Sequence, residues 1–223
     1  MRTSMTRVAL KSKVLEHNDM IAGRLRARFH RDGIFCLNLI GSPGSGKTTL
    51  LEAILPQLAE RFRCGVIEGD VATNNDMRRI AALGISAVQI ETRGSCHLTA
   101  EMVEKAFGDL DGGLELLVIE NVGNLICTVA YDLGEDCRLV VLSTAEGEDK
   151  PLKYPAAFVS AHVLVITKID LEPYVDARAA TMVSNALRSN PRLRVFTTSA
   201  KTGEGIGPLI EFISEKLSHG KEA

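Results

Sequence analysis

GSPGSGKT, Gly41 to Thr48, fits the pattern G-x-x-x-x-G-K-S/T and lies between an apolar run, IFCLNLI, and an amphipathic stretch that begins at Thr48. That strand, loop and helix context is what the pattern needs in order to hold phosphate. The glycines of Gly41, Ser42, Pro43, Gly44, Ser45 and Gly46 let the backbone curl so that its amides point inward at an anion. Lys47 then reaches the terminal phosphates as a point charge, the Thr48 hydroxyl is placed to ligate magnesium, and Thr49 completes the nucleotide-binding stretch.

Outward from this loop, apolar runs alternate with helix-length segments. CGVIEG precedes an amphipathic stretch near Met77, and SAVQI precedes one from Thr99. LELLVIE, RLVVLST and HVLVITK follow, and RVFTTSA is the last strand before a closing helix, Ile206 to Leu217. Near-continuous apolar strands with such spacing predict an α/β P-loop NTPase, a mostly parallel sheet covered by helices on both faces. Upstream, Val14, Leu15, Ile21, Leu25 and Phe29 recur near the helical period, so Val8 to Phe29 is expected to form an N-terminal amphipathic helix ended by Gly33. Arg24, Arg26, Arg28 and Arg31 read as its solvated face. No repeat, low-complexity tract or linker interrupts the pattern. One P-loop domain over residues 1–223, with 1–33 as a helical extension, is the expected organisation.

A chain of 223 residues suffices for one core without disulfide staples, and 45% hydrophobic with 24% charged residues is the composition of a folded protein. A formal net charge of -2 argues against a general nucleic-acid partner. No apolar run approaches the roughly 18 residues that cross a bilayer, and the start, MRTSMTRVALKSKV, lacks the features of a signal peptide. A cytoplasmic location, with no membrane partner, is expected. In that reducing compartment the five cysteines should be free, catalytic or metal-binding.

A phosphate loop of this kind needs a carboxylate at a neighbouring strand end to hold magnesium or its waters. Asp70 ends VIEGD, and Glu120 ends LELLVIE just before NVGN, whose glycine could offer its amide to a γ-phosphate. Asp76 is a third candidate. For the base, Lys168 and Asp170 match two positions of an Asn-Lys-x-Asp box, with Thr167 in place of the asparagine. The aspartate accepts from guanine's ring NH and amino group while the lysine packs along the ring. Ser199, Ala200 and Lys201 follow in the order of the loop that meets the guanine carbonyl, so GTP is favoured over ATP.

Cys96 and His97 are adjacent in RGSCHL, and Cys127 lies beyond Glu120 in ENVGNLIC. Two thiols and an imidazole form a soft set suited to nickel or zinc. Neighbouring ligands on an extended chain point apart, so one ion is clasped only if the backbone turns sharply or the site is shared between subunits. The alternative is two small buried hydrophobes with His97 capping a helix. Cys36, Cys64 and Cys137, in or beside apolar strands, are expected to be buried, and His17, His30, His162 and His219 receive no role.

LNLIGSPGSGKTTLLE, GD with Thr73 after it, GSCHL, ENVGNLIC and EGEDKPLKYP together resemble the HypB family of hydrogenase nickel-insertion GTPases, over Leu37 to about Leu217. The resemblance implies a G protein of the signal-recognition-particle and MinD class that hydrolyses GTP to GDP with Mg2+ and dimerises with GTP bound. It implies a Ni2+ or Zn2+ site at Cys96, His97 and Cys127. Its partners would be a second copy, a HypA-like nickel-delivery accessory protein and a hydrogenase large-subunit precursor. It places Lys150 and Lys153 near phosphate at the dimer interface. Thr167, Asn74 with Asn75, and Thr128 after Cys127 depart from the family pattern. The N-terminal cysteine cluster and histidine-rich tract of some relatives are missing, which implies transient carriage of nickel. The rival readings are a urease-type nickel-insertion GTPase, a phosphotransferase on the same loop, and a nucleotide switch with no metal role.

Overall fold

The computed structural model describes residues 3–70, 75–110 and 112–219, and the side chains of 13–70, 75–110 and 112–218. Thr73 and Asn74 therefore lie outside the described residues.

Each apolar run forms a strand: β1 (Phe35–Gly41), β2 (Cys64–Asp70), β3 (Ser86–Glu91), β4 (Leu116–Glu120), β5 (Cys137–Ser143), β6 (Val163–Thr167) and β7 (Arg194–Thr197). They make one seven-stranded sheet in the order β3-β2-β4-β1-β5-β6-β7. Every pair is parallel. The strands are apolar on both sides because helices cover both faces, and the pleat sorts the residues between them. Leu37 and Leu39 of β1 join a core with Leu50, Leu51, Ile54 and Leu55 of α2 (Lys47–Ala59) and Leu209 and Ile213 of α8 (Ile206–His219). Their neighbours face the other way: Cys36 packs beneath α1 (Thr3–Arg31) and α4 (Ala100–Phe107), and Ile40 beneath α6 (Pro155–Val159) and α7 (Ala179–Ser189). Short helices α3 (Asn75–Ala81) and α5 (Lys150–Lys153) complete the set. Cys36, Cys64 and Cys137 are buried, as their surroundings in the sequence require. No helix among the described residues is long and apolar enough to cross a membrane.

The chain runs to one side of β1 through β2 and β3, then returns through β4 and crosses to β5 on the other side. That reversal opens a crevice at the carboxyl ends of the strands, where open α/β sheets take their ligands. The loop GSPGSGKT leaves β1 at this point. Gly41 admits no side chain there, since a Cβ would stand 2.5 Å from the Val141 carbonyl oxygen and 2.6 Å from Ser45 Oγ.

Ile21, Ala22, Leu25 and Phe29 are the buried stripe of α1, while Val14, expected in that stripe, is exposed. The arginines are not uniformly solvated. Arg26 donates to both carboxylate oxygens of Asp132 at 2.6 and 2.8 Å, and the Arg28 guanidinium lies over the Phe107 ring. His30 Nε2 is 2.5 Å from Asp136 Oδ1, and His162 accepts from the Arg138 amide. Gly134 makes the close seating of α1 possible: at φ +84° its missing Cβ would fall 2.9 Å from Leu25 Cβ and 3.0 Å from the Ala22 carbonyl. Gly134→Ala should therefore cost about 2 kcal/mol of stability by denaturant unfolding, combining positive φ with a clash against backbone. A variant as stable as wild type would contradict this docking of α1.

Candidate functional site

The loop after β1 reaches its shape through Gly44 and Gly46, at φ +75° and +92°, in the left-handed region that glycine tolerates. Gly46 starts α2, so the helix's unpaired amides point into the crevice. Pro43, Gly44, Gly46, Lys47, Thr48 and Thr49 line a cleft of about 380 Å³ there. Asp70, Asp76 and Glu120 line its far wall.

Thr48 Oγ1 donates to Glu120 Oε1 at 2.8 Å, bringing together the two groups expected at magnesium. A residue that the sequence reading passed over joins them. Glu68, in the middle of β2, is in register with Glu120 of β4, and both are buried at 3% and 2% exposure. One carboxylate oxygen from each of Glu68, Asp76 and Glu120 lies within 4.8 Å of the others. Asp70 lines the same cleft but is not part of that cluster. Glu68 could have been found as the charged residue inside an apolar parallel strand, a position that is costly without a partner.

Burial and then the neighbouring Glu120 push the Glu68 carboxyl up to about 11. Burial also raises Glu120, opposed by Lys47. Glu68 Oε2 and Glu120 Oε2 are buried without a hydrogen-bond partner. Carboxylate oxygens gathered within 4.8 Å of one another next to a hydroxyl suit a hard divalent cation, so the donor set fits magnesium. The sign for stability follows from the raised carboxyl, whose stabilising protonated form is lost as pH rises. In metal- and nucleotide-free protein, melting temperature should fall between about pH 7 and 9.5, and Glu68→Gln should flatten that slope. An unchanged slope in the variant would remove Glu68 as its source.

A second, mostly apolar slot is lined by Gly46, Thr49, Leu50, Thr167, Lys168, Asp170, Ala200 and Lys201. It shares Gly46, Thr49 and Lys168 with the cleft, so the two adjoin. Lys168, at φ +58°, donates from Nζ to the Gly44 carbonyl at 2.8 Å. Ser199 Oγ donates to Asp170 Oδ1 at 2.6 Å, which orients the carboxylate. Thr167 ties the sheet to the loop, its hydroxyl donating to the Ser45 carbonyl at 2.6 Å. Lys150 Nζ lies 3.2 Å from Ser42 Oγ of the phosphate loop in the same protomer, whereas Lys153 pairs with Asp149.

The soft ligands come from two segments. Past Arg93 and Gly94, both at positive φ, the chain turns so sharply that Cys96 Sγ is 3.7 Å from His97 Nδ1. These neighbours converge, contrary to the expectation for an extended chain. His97 does not cap a helix: Thr99 caps α4, accepting from the Met102 amide, and the His97 ring stacks on Tyr131 at 3.9 Å. Burial lowers the His97 pKa, favouring the neutral imidazole that a metal needs. Cys127 does not come within ligand-sharing distance of this pair in the protomer.

Both segments are tied to the turn after Glu120. Asn121 Oδ1 accepts from the Leu98 amide at 3.4 Å, next to His97, and from the Val122 amide at 3.0 Å. Gly123 packs on Pro43, where a Cβ would stand 2.9 Å from Pro43 Cγ, and Asn124 bridges to Gly41. Asn124 Oδ1 then accepts from the amides of Ile126 and Cys127 at 2.6 and 2.9 Å. Thr128, where the family resemblance leads one to expect proline, donates its hydroxyl to the Asn124 carbonyl at 2.7 Å and so braces the loop by a bond.

Residues 35–197 match the family model for the CobW/HypB/UreG nucleotide-binding domain. Across 201 residues the chain is 48% identical to the hydrogenase maturation factor HypB of Rhizobium leguminosarum, covering 89% of this chain and 67% of that one. The chain belongs to the HypB family. The crystal structure of HypB from Archaeoglobus fulgidus superposes with a TM-score of 0.86 at 36% identity, covering 91% of this chain and 99% of that one. HypB from Helicobacter pylori in complex with nickel gives 0.85 at 39% identity, covering 91% and 96%. A P-loop NTPase fold is thus common ground for the family and this chain, whose relatives include hydrogenase and hydrogenase/urease maturation factors.

Proposed function

We propose that this HypB homologue is a GTP-hydrolysing metallochaperone that couples its nucleotide state to the delivery of nickel during hydrogenase maturation. One observation carries the reading. The turn Asn121–Asn124 touches the phosphate loop through Gly123 on Pro43 and holds both soft-ligand segments through Leu98 and Cys127.

On this reading residues 41–49 hold the phosphates of GTP, and Asp170, fixed by Ser199, accepts from the guanine edge in the slot that Lys168, Ala200 and Lys201 line. Lys47 neutralises the terminal phosphates, and the Thr48 and Glu120 side chains, with Glu68 and Asp76 beside them, hold the cation. Magnesium, when bound, screens phosphate charge during in-line attack by water. The Gly123 amide takes the position from which a γ-phosphate is sensed, and its displacement shifts Asn121 and Asn124 together. Cys96 and the neutral His97 receive nickel as cargo, with zinc the other ion that this donor set suits. Cys127's distance from the pair supports a site completed across a GTP-dependent homodimer. Nickel would come from a HypA-like accessory protein and pass to the hydrogenase large-subunit precursor, all within one P-loop domain working in the cytoplasm.

Nickel titrated into reduced protein with GDP, and with a non-hydrolysable GTP analogue, should give a thiolate-to-nickel absorption band whose affinity differs between the two states. The band should vanish in Cys127→Ala. By linkage nickel must then shift nucleotide affinity by the same factor. Absence of the band in both states would leave a nucleotide switch of unknown cargo. Lys47→Ala should lower turnover at least 100-fold with the fold intact, about 3 kcal/mol of lost transition-state stabilisation. Near-wild-type turnover would remove the phosphate role of the loop.

A further inference from the structure

No described residue of helix α1 lines the nucleotide site, yet Asn18, its one buried polar residue among the described side chains, faces both soft-ligand segments. Asn18 is 4% exposed. Its Oδ1 accepts from the Ala100 amide at 2.9 Å, and its Nδ2 donates to the Asp132 carbonyl at 2.8 Å. Ala100 is three residues past His97 and Asp132 five past Cys127, so one side chain joins the segment that carries Cys96 and His97 to the segment that carries Cys127. The same segments meet again where Tyr131 stacks on His97. Arg26, about two helical turns from Asn18 on the same face of α1, grips Asp132 with two bonds and so fixes the carbonyl that Asn18 uses. Around His97 the downstream amides are taken in turn: Leu98 by Asn121, Ala100 by Asn18 and Met102 by Thr99.

We infer that Asn18 makes the N-terminal helix part of the metal site, as a positioning residue that sets the spacing of the Cys96-His97 segment against the Cys127 segment. A short amide side chain with a donor at one end and an acceptor at the other fits this task. It is rigid, both of its bonds are satisfied, and loss of either leaves a buried backbone group without a partner. The nucleotide switch moves the two segments through Asn121 and Asn124, and Asn18 supplies the fixed point against which they move. Groups that orient metal ligands without touching the metal commonly govern affinity by factors of ten or more.

The inference rests on the proposed role of Cys96, His97 and Cys127, and the test separates the two. Nickel affinity and GDP affinity would be measured on full-length wild type, Asn18→Ala, Asn18→Asp and Phe29→Leu. Asn18→Ala should weaken nickel by roughly 10-fold to 100-fold with GDP affinity unchanged. Asn18→Asp keeps the acceptor for Ala100 but turns a lone pair toward the Asp132 carbonyl, and should weaken nickel by less. If the alanine variant does not fold, the aspartate variant carries the test alone. Phe29→Leu loosens the same helix away from these bonds and should lower melting temperature while leaving nickel affinity in place. Wild-type nickel affinity in both Asn18 variants would overturn the positioning role alone. So would an equal loss of nickel affinity in Phe29→Leu, by reducing the effect to helix stability. No nickel binding by wild type would overturn the inference together with the metal reading.

Discussion

Glu68 and Glu120 stand side by side on two buried parallel strands, and the site is organised around the cost of keeping them there. Two carboxylates in register inside a sheet repel each other and lack water, so each is held protonated or must find a cation. Lys47 supplies part of that charge, and the Thr48 hydroxyl donates to the nearer oxygen. One oxygen of each carboxylate and one of Asp76 lie within 4.8 Å of one another, a grouping suited to hold a magnesium ion. The nucleotide-free site is accordingly a place of stored electrostatic cost, relieved by the ligand that the phosphate loop is shaped to take.

The strand end and the two soft-ligand segments are linked by polar bonds. Glu120 leads directly into Asn121, whose side chain holds the amide beside His97, and Asn124 holds the amide of Cys127. Behind them a buried chain of contacts runs from Asn121 to Asn38, Glu135 and Arg138. That chain anchors the turn to β1 and β5. Helix α1 completes the frame from the far side, seated on Gly134 and bonded through Asn18 and Arg26.

Much of the fold was legible in the linear pattern because it rests on local rules. Apolar runs of strand length, a glycine loop before a helix, and amphipathic segments between them can be recognised without knowing what packs on what. The helix expected from Thr99 begins at Ala100, with Thr99 as its cap. The departures arose where partners come from afar. Arg26 read as solvated and His30 received no role until Asp132 and Asp136 are brought beneath them, each 106 residues away. Glu68 read as one more strand residue, since its meaning depends on the strand that lies beside it.

The sequence by itself determined the phosphate loop, the seven parallel strands, the candidate base-reading pair Lys168 and Asp170, and the three soft-ligand candidates, because each is written in residue types at short spacing. Only the tertiary structure decided how these meet. It chose Glu68 and Asp76 over Asp70 as the carboxylates gathered around Glu120, turned Cys96 and His97 toward each other, and kept Cys127 apart from them. Strand order and register are set by packing over the whole sheet, and side-chain convergence depends on backbone turns such as that at Arg93 and Gly94. Neither is a property of any short stretch of chain, which is why the geometry of the site emerged only with the fold.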